Sequence, residues 1–308
     1  MNFSTPVDIP SSPYRITYDD QVLCLGSCFA QNMGNKLHEW GFKVAVNPFG
    51  ALYNPLSILS VSQRLSCPAQ PAFERSALVE HNGLFHSMLH SQAFSFADPE
   101  QTLKAINLSL RQGQQAWAES SVLLVSLGSA FVYEYEGKVV SNCHKIPDKQ
   151  FNRRRLSVNE TTTALKQLLA LTSSFRLVVL TVSPIRHLRD GLHENNLSKS
   201  TLLLAIDQLL HNDNEQEALS QPDKATHNNK TEANNVMYFP SYEILMDELR
   251  DYRFYASDML HPSSVAEDYI WERFTQSCLS PDLSEQMRER HRLFLASQHR
   301  PLSGIADS

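Results

Sequence analysis

No stretch of the chain reaches transmembrane length, and the opening MNFSTPVDIPSSPYRITYDD lacks the basic start and unbroken apolar run of a secretory signal. The cytoplasm is therefore the expected compartment, and no membrane partner is expected. Cysteine is sparse. Cys24, Cys28, Cys67, Cys143 and Cys278 form an odd, scattered set without a CxxC pair, which argues against a disulfide scaffold or a thiolate zinc site. Positive charge is short as well: 27 Lys and Arg face 33 Asp and Glu, leaving a net charge of −6 and no electrostatic footprint for nucleic acid. The adjacent Arg153, Arg154 and Arg155 read as a solvated loop. Internal repeats are also missing.

What is present is a globular composition, 42% apolar and 19% charged over 308 residues, enough for one large domain with a sizeable core. QVLCL (21–25) reads as a short buried strand. FAQNMGNKLHEWG then sets Phe29, Met33, Leu37 and Trp40 at helical spacing before Gly41 ends the helix. VLLVSLG (122–128) and LVVLTVSP (177–184) are further continuous apolar runs, each preceded by a helical pattern. Continuous rather than alternating hydrophobicity means strands covered on both faces, and alternation with helices implies a parallel sheet in an α/β layer fold.

VMYFPSYEIL (236–245) is the candidate last strand with its exit. The polar, Asn-rich segment 211–235 reads as a surface insertion or mobile loop with some helix at its start. In SSVAEDYIWERF, Ser264 and Glu267 stand at capping-box spacing, which starts a helix just after Pro262. The expected organisation is one domain over residues 1–280 carrying the 211–235 insertion, followed by a C-terminal helix and frayed tail over 281–308.

Ligands of open parallel sheets bind outside the carboxyl ends of the strands. That rule singles out GSC (26–28), LGSAFVYE (127–134), SPIRHLRDG (183–191) and the DMLH loop (258–261). A thiolate gains from the positive end of a helix dipole, and Cys28 sits where that field acts. Asp258 and His261 are close enough in one turn for the carboxylate to hold one imidazole nitrogen and leave the other facing a nucleophile. A lone DxxH carries little weight, because Asp258 can equally cap a turn.

Taken together these segments resemble the SGNH or GDSL hydrolases, and more closely the GSCFA family. The likeness runs in order through GSCFAQNMGNKL, VNPFGALYNPLSI (46–58), LGSAFVYE, CHKIP (143–147), FNRRRLSVNE (151–160), SPIRHLRDGLHENNLSKS (183–200) and YRFYASDMLHPS (252–263). The resemblance implies a three-layer α/β/α sandwich with a central, mainly parallel sheet. It implies an acyl-ester hydrolase or acyltransferase with a nucleophile after the first strand and a His and Asp near the end of the domain.

Laying LGSCF on the LGDSL pattern makes Cys28 the nucleophile, while a shift of one residue makes it Ser27. His261 is then the base and Asp258 its orienter. Gly50 can play the oxyanion glycine, but Ala130 stands where a GxN motif has asparagine. The missing donor would come from Ser129, Asn47 or a backbone amide. Arg186 and His187, at the rim after the LVVLTVSP strand, are candidates for substrate contact, with a salt bridge from Arg186 to Asp190 or Glu194 as the structural alternative. The implied partner is a small-molecule or glycan acyl ester, with no metal or organic cofactor.

Competing readings rest on other residues. His86 and His90 would share a face if helical, and with His81 they offer metal-like spacing, although a structural role fits the surrounding HNGLFHSMLHSQAF better. His144 beside Cys143 makes a poor dyad, because adjacent side chains diverge. Tyr252, Phe254 and Tyr255 are expected to wall the pocket or the core. A pocket without turnover, a binding module, is the rival from another class.

Overall fold

The computed structural model describes residues 5–189, 191–220 and 235–298. Strand β1 (Gln21–Gly26) passes into α1 (Cys28–Glu39) and returns as β2 (Lys43–Val46). Helix α2 (Pro55–Leu65) leads to the hairpin β3 (Leu78–His81) and β4 (Leu84–Ser87), and α3 (Pro99–Glu119) delivers the chain to β5 (Val122–Leu127). An antiparallel ribbon follows, made of β6 (Phe131–Tyr135), β7 (Lys138–Val140) and β8 (Phe151–Arg155). Next come α4 (Val158–Ala170), β9 (Leu177–Val182), the long α5 (Gly191–Ser220) and β10 (Asn235–Tyr238). The short α6 (Ser241–Glu243) runs on as a π-helical turn to Leu249, and α7 (Ser264–Cys278) and α8 (Ser284–Gln298) follow.

Five strands form one all-parallel sheet in the order β10-β9-β5-β1-β2. Its inner strands are buried on both faces, as the unbroken apolar runs require. Leu23, Leu25, Leu123, Val125, Val178 and Leu180 point to one side and pack with Ile58, Leu110, Leu165 and Leu202 of the helices there. Their neighbours Val22, Cys24, Val122, Leu124, Leu177 and Val179 point to the other and pack with Phe29, Leu37, Ile270 and Phe274. Period-two alternation therefore produces the three-layer α/β/α sandwich. Each fully buried Leu, Val or Phe contributes about 1.5–3 kcal/mol.

Several expectations need correction. Arg153 to Arg155 are not a loop but part of β8, where Arg154 pairs with Glu134 of β6 at 2.9 Å and with Glu160 at 2.7 Å. Cross-strand partners turned a charge run into a strand. The α7 cap is Ser263, whose hydroxyl accepts from the Ala266 N–H, one residue ahead of the expected Ser264. With Ser263 as the cap the box position falls on Ala266, so Glu267 does not cap and instead accepts a hydrogen bond from Asn32 of α1. The polar 211–235 segment continues α5 as far as Ser220, and residues 221–234 lie outside those described. The tail expected to fray lies outside them too, beyond residue 298.

His86 ends up on a strand rather than a helix, stacked on His144 with ring centroids 4.5 Å apart. Its nitrogens meet Ser95 Oγ and the His81 carbonyl. His90 is wholly buried, stacks on Phe49 at 3.9 Å and bonds Ser87 Oγ at 2.8 Å. These contacts give the three rings a packing role. Burial, reinforced by the charge of Arg64, pulls the His90 pKa down to about 3; burial pulls that of His144 down to about 4.

In the unfolded chain both rings would titrate near about 6.5. Between that pH and about 4 the unfolded state binds more protons than the folded one, so stability falls as pH drops through this window and is unaffected by these rings above it. The slope is up to about 1.4 kcal/mol per pH unit for each ring. Urea midpoints at a series of pH values should show it, and His90→Phe, which keeps the stacking, should flatten it.

Candidate active site

The site begins where β1 stops. Gly26 adopts φ +130°, and a Cβ there would lie 2.1 Å from the Ser126 carbonyl oxygen of β5. Only glycine tolerates both conditions. The Ser27 N–H then donates to that same carbonyl at 3.0 Å, and its hydroxyl lies 2.9 Å from Ser126 Oγ while capping α1 through the Phe29 N–H. Ser27 is 1% exposed. Its oxygen is therefore held in place as the acceptor that caps the helix.

Cys28 heads the helix and is half-buried, with Sγ 3.3 Å from the Tyr53 hydroxyl. As the first residue of α1 its own N–H has no intrahelical carbonyl to bond.

Asp258 and His261 do meet. The imidazole Nδ1 lies 2.6 Å from Asp258 Oδ2, while Oδ1 accepts from the N–H groups of Leu260 (2.9 Å) and His261 (3.0 Å). A carboxylate can only accept, so the proton sits on Nδ1 and leaves Nε2 as the basic atom. The backbone N–H of His261, then that of Leu260, then the imidazole, hold the Asp258 carboxyl well below its usual range, at about 2.

Two ties bring this loop to the sheet end. The Arg186 N–H donates to Leu260 O at 3.1 Å, and Glu267, within electrostatic reach of His261, is bonded to Asn32, one helical turn beyond Cys28. Among the described residues the hydrogen bond of Cys28 Sγ is to Tyr53, and none joins it to His261.

The remaining expected residues divide. Asn47, buried, uses Oδ1 to accept from the Gly26 N–H, which tethers the loop after β2 beneath the β1 turn. The Gly50 N–H donates to Asn47 O at 2.7 Å, so the amide expected to face an oxyanion is committed to a turn. Ser129 Oγ accepts from the Phe131 N–H and pairs with Ser198.

Arg186 makes no salt bridge with Glu194 among the described residues, and Asp190, the other expected partner, lies outside them. Its guanidinium lies 4.2 Å from the Tyr255 ring centroid, and Glu194 pairs with Arg155 instead. It is thus a clamp for the DMLH loop. Tyr255 is buried in a small cluster with Leu245 and Ala266, whereas Tyr252 is 62% exposed.

A cavity of about 260 Å³ opens at the strand ends under the β6–β8 ribbon, lined among others by Tyr53, Asn54, Ser129, Phe131, Asn142 and His187. Cys28 and His261 do not line it, but Tyr53 belongs to both, with its ring edge against His187 and its hydroxyl on Sγ. A larger groove of about 840 Å³ runs past Trp40, at the opposite end of α1 from Cys28.

Two residues escaped the sequence reading. Tyr53 stood inside a matched motif without chemistry attached to it. Lys199, on α5, is fully buried and donates to the carbonyls of Gly128 and Ser183, both at 2.7 Å, locking the ends of β5 and β9 together. Burial pulls its ammonium down to about 7. No periodicity marks a lysine that points inward.

Comparison with protein families agrees with this architecture: the GSCFA profile matches residues 21–274. The chain belongs to the GSCFA family. No curated protein matches it. The family match covers every strand of the parallel sheet, the β1–α1 turn and the Asp258–His261 loop, and it ends inside α7.

Two outcomes test this geometry. Gly26→Ala should destabilise the protein by roughly 3 kcal/mol or more, read by urea unfolding, because a left-handed backbone and a steric clash add. Asp258 should stay ionised down to about pH 2 in a carboxyl NMR titration, since its folded pKa is depressed; its contribution to stability is then present above the unfolded pKa and lost as pH falls through about 2.

Proposed function

We propose that this GSCFA protein is an acyl-ester hydrolase or acyltransferase that works through a thioester on Cys28. The observation that carries the reading is the division of labour between neighbours: Ser27 is sealed and capping, while Cys28 at the helix start is only half-buried. The hydrogen-bonded Asp258–His261 pair supports it.

Cys28 Sγ attacks the carbonyl carbon, its proton passes to His261 Nε2, and the carbonyl π pair moves onto oxygen. The Cys28 N–H is a ready donor to that oxyanion. Collapse breaks the bond to the leaving group, which takes the proton from His261. Water or an acceptor hydroxyl then gives its proton to His261 and attacks the thioester carbon; the C–S bond breaks and the departing Cys28 sulfur takes that proton back as thiol. Asp258 holds the tautomer and stabilises the imidazolium. The 260 Å³ cavity, with its aromatic faces, amides and hydroxyls, suits one arm of a small or glycan ester. A thioester yields readily to alcohols, which favours transfer when an acceptor is bound.

With an activated acetyl ester as donor, Cys28→Ala and His261→Ala should each abolish turnover, and intact-mass spectrometry of the wild type should trap one acetyl group on the peptide carrying Cys28. Ser27→Ala should keep turnover but lose about 1 kcal/mol of stability as the cap disappears. Full turnover in Cys28→Ala would refute the reading, and ligand binding without turnover in the wild type would make the protein a binding module.

A further inference from the structure

We propose that the Tyr53 hydroxyl is the second oxyanion donor of this site, filling the role left open by Ala130. This rests on acyl transfer through Cys28. Nothing in the SGNH pattern assigns a tyrosine here, and position rather than motif points to it.

The segment carrying Tyr53 is bracketed by the two strand ends that meet at the nucleophile. The Leu52 N–H donates to Gly26 O at 2.7 Å, and the Tyr53 carbonyl accepts from both Gly128 and Ser129, each at 2.8 Å. Those are the amides of the loop in which an oxyanion donor is sought, and both are already committed. So is that of Gly50, which donates to Asn47 O.

With those three amides committed, a side chain is the open source of the donor, and the one at the sulfur is Tyr53, 3.3 Å away. Gly128 makes room for it: a Cβ there would come within 3.2 Å of Tyr53 Cδ1. The ring is further braced edge-on by His187 at 6.0 Å.

When the Sγ–C bond forms and the π pair moves onto oxygen, that oxygen sits one bond beyond the carbon attached to Sγ. It then falls within reach of a hydroxyl already touching the sulfur. The phenol donates its hydrogen bond without giving up its proton, because burial and the contact with Cys28 raise it above the ordinary tyrosine range. The protons of the reaction pass through His261, between it and Cys28, the leaving group and the acceptor, and never through the phenol.

The test compares full-length wild type with Tyr53→Phe, which keeps the ring against His187, in two reactions of the same sulfur. Ester turnover with p-nitrophenyl acetate develops an oxyanion; alkylation of Cys28 by iodoacetamide does not. Loss of the donor should lower kcat/KM for the ester by about 100-fold, mostly in kcat. The alkylation rate should stay within about threefold.

An ester rate that is unchanged, or an alkylation rate that falls in parallel with it, would overturn the proposal; the second outcome would make Tyr53 a group that tunes the sulfur. If the wild type turns over no ester, acyl transfer fails separately, and hemithioacetal formation with acetaldehyde, followed by carbon NMR, decides the matter for Tyr53 alone. Weakening by roughly tenfold in Tyr53→Phe supports the donor. Equal affinity overturns it.

Discussion

The contact between Gly26 and the backbone of Ser126 is the constraint from which the rest of the site follows. With no Cβ at Gly26, β1 closes to within 2.1 Å of where one would stand against the Ser126 carbonyl. The chain then turns at once into α1. That tight join holds Ser27 against β5 through backbone and hydroxyl, makes it the cap, and leaves Cys28 as the first helical residue. A looser turn would let the helix begin elsewhere and present a different atom.

Around this join the sheet ends are tied by buried polar contacts rather than by apolar packing alone. Asn47 reaches the Gly26 N–H, Tyr53 takes the two amides after β5, and Lys199 bridges Gly128 and Ser183. A buried polar group left unpaired costs about 1–3 kcal/mol, so such ties favour one loop arrangement over its alternatives. Rigidity there matters chemically, because preorganised donors need no reorganisation as charge develops. The Asp258–His261 turn, by contrast, is about 45% exposed on both side chains and is anchored mainly through Arg186 and its stack on Tyr255.

Buried charge is handled in two ways. The histidines under the β3–β4 hairpin are kept neutral by burial, which links them to acid stability rather than to chemistry. Lys199 relies on carbonyl dipoles, with the Tyr242 ring 5.8 Å away. Neither arrangement leaves a trace in the pattern of apolar residues, which is why the histidines were open to a metal reading and the lysine passed unnoticed.

The amino-acid sequence by itself determined the parallel sheet, its covering helices, the strand–turn–helix at residues 21–39 and the Asp258–His261 pair. These depend on periodicity and on neighbours within a turn. Tertiary structure alone decided that Ser27 is sealed and Cys28 only half-buried, because the residue that seals Ser27 lies 99 positions away in β5. It also decided that Tyr53 reaches the sulfur and that Arg153 to Arg155 form a strand. Each outcome is set by a partner brought near only when distant segments pack, and a local pattern carries no record of that partner.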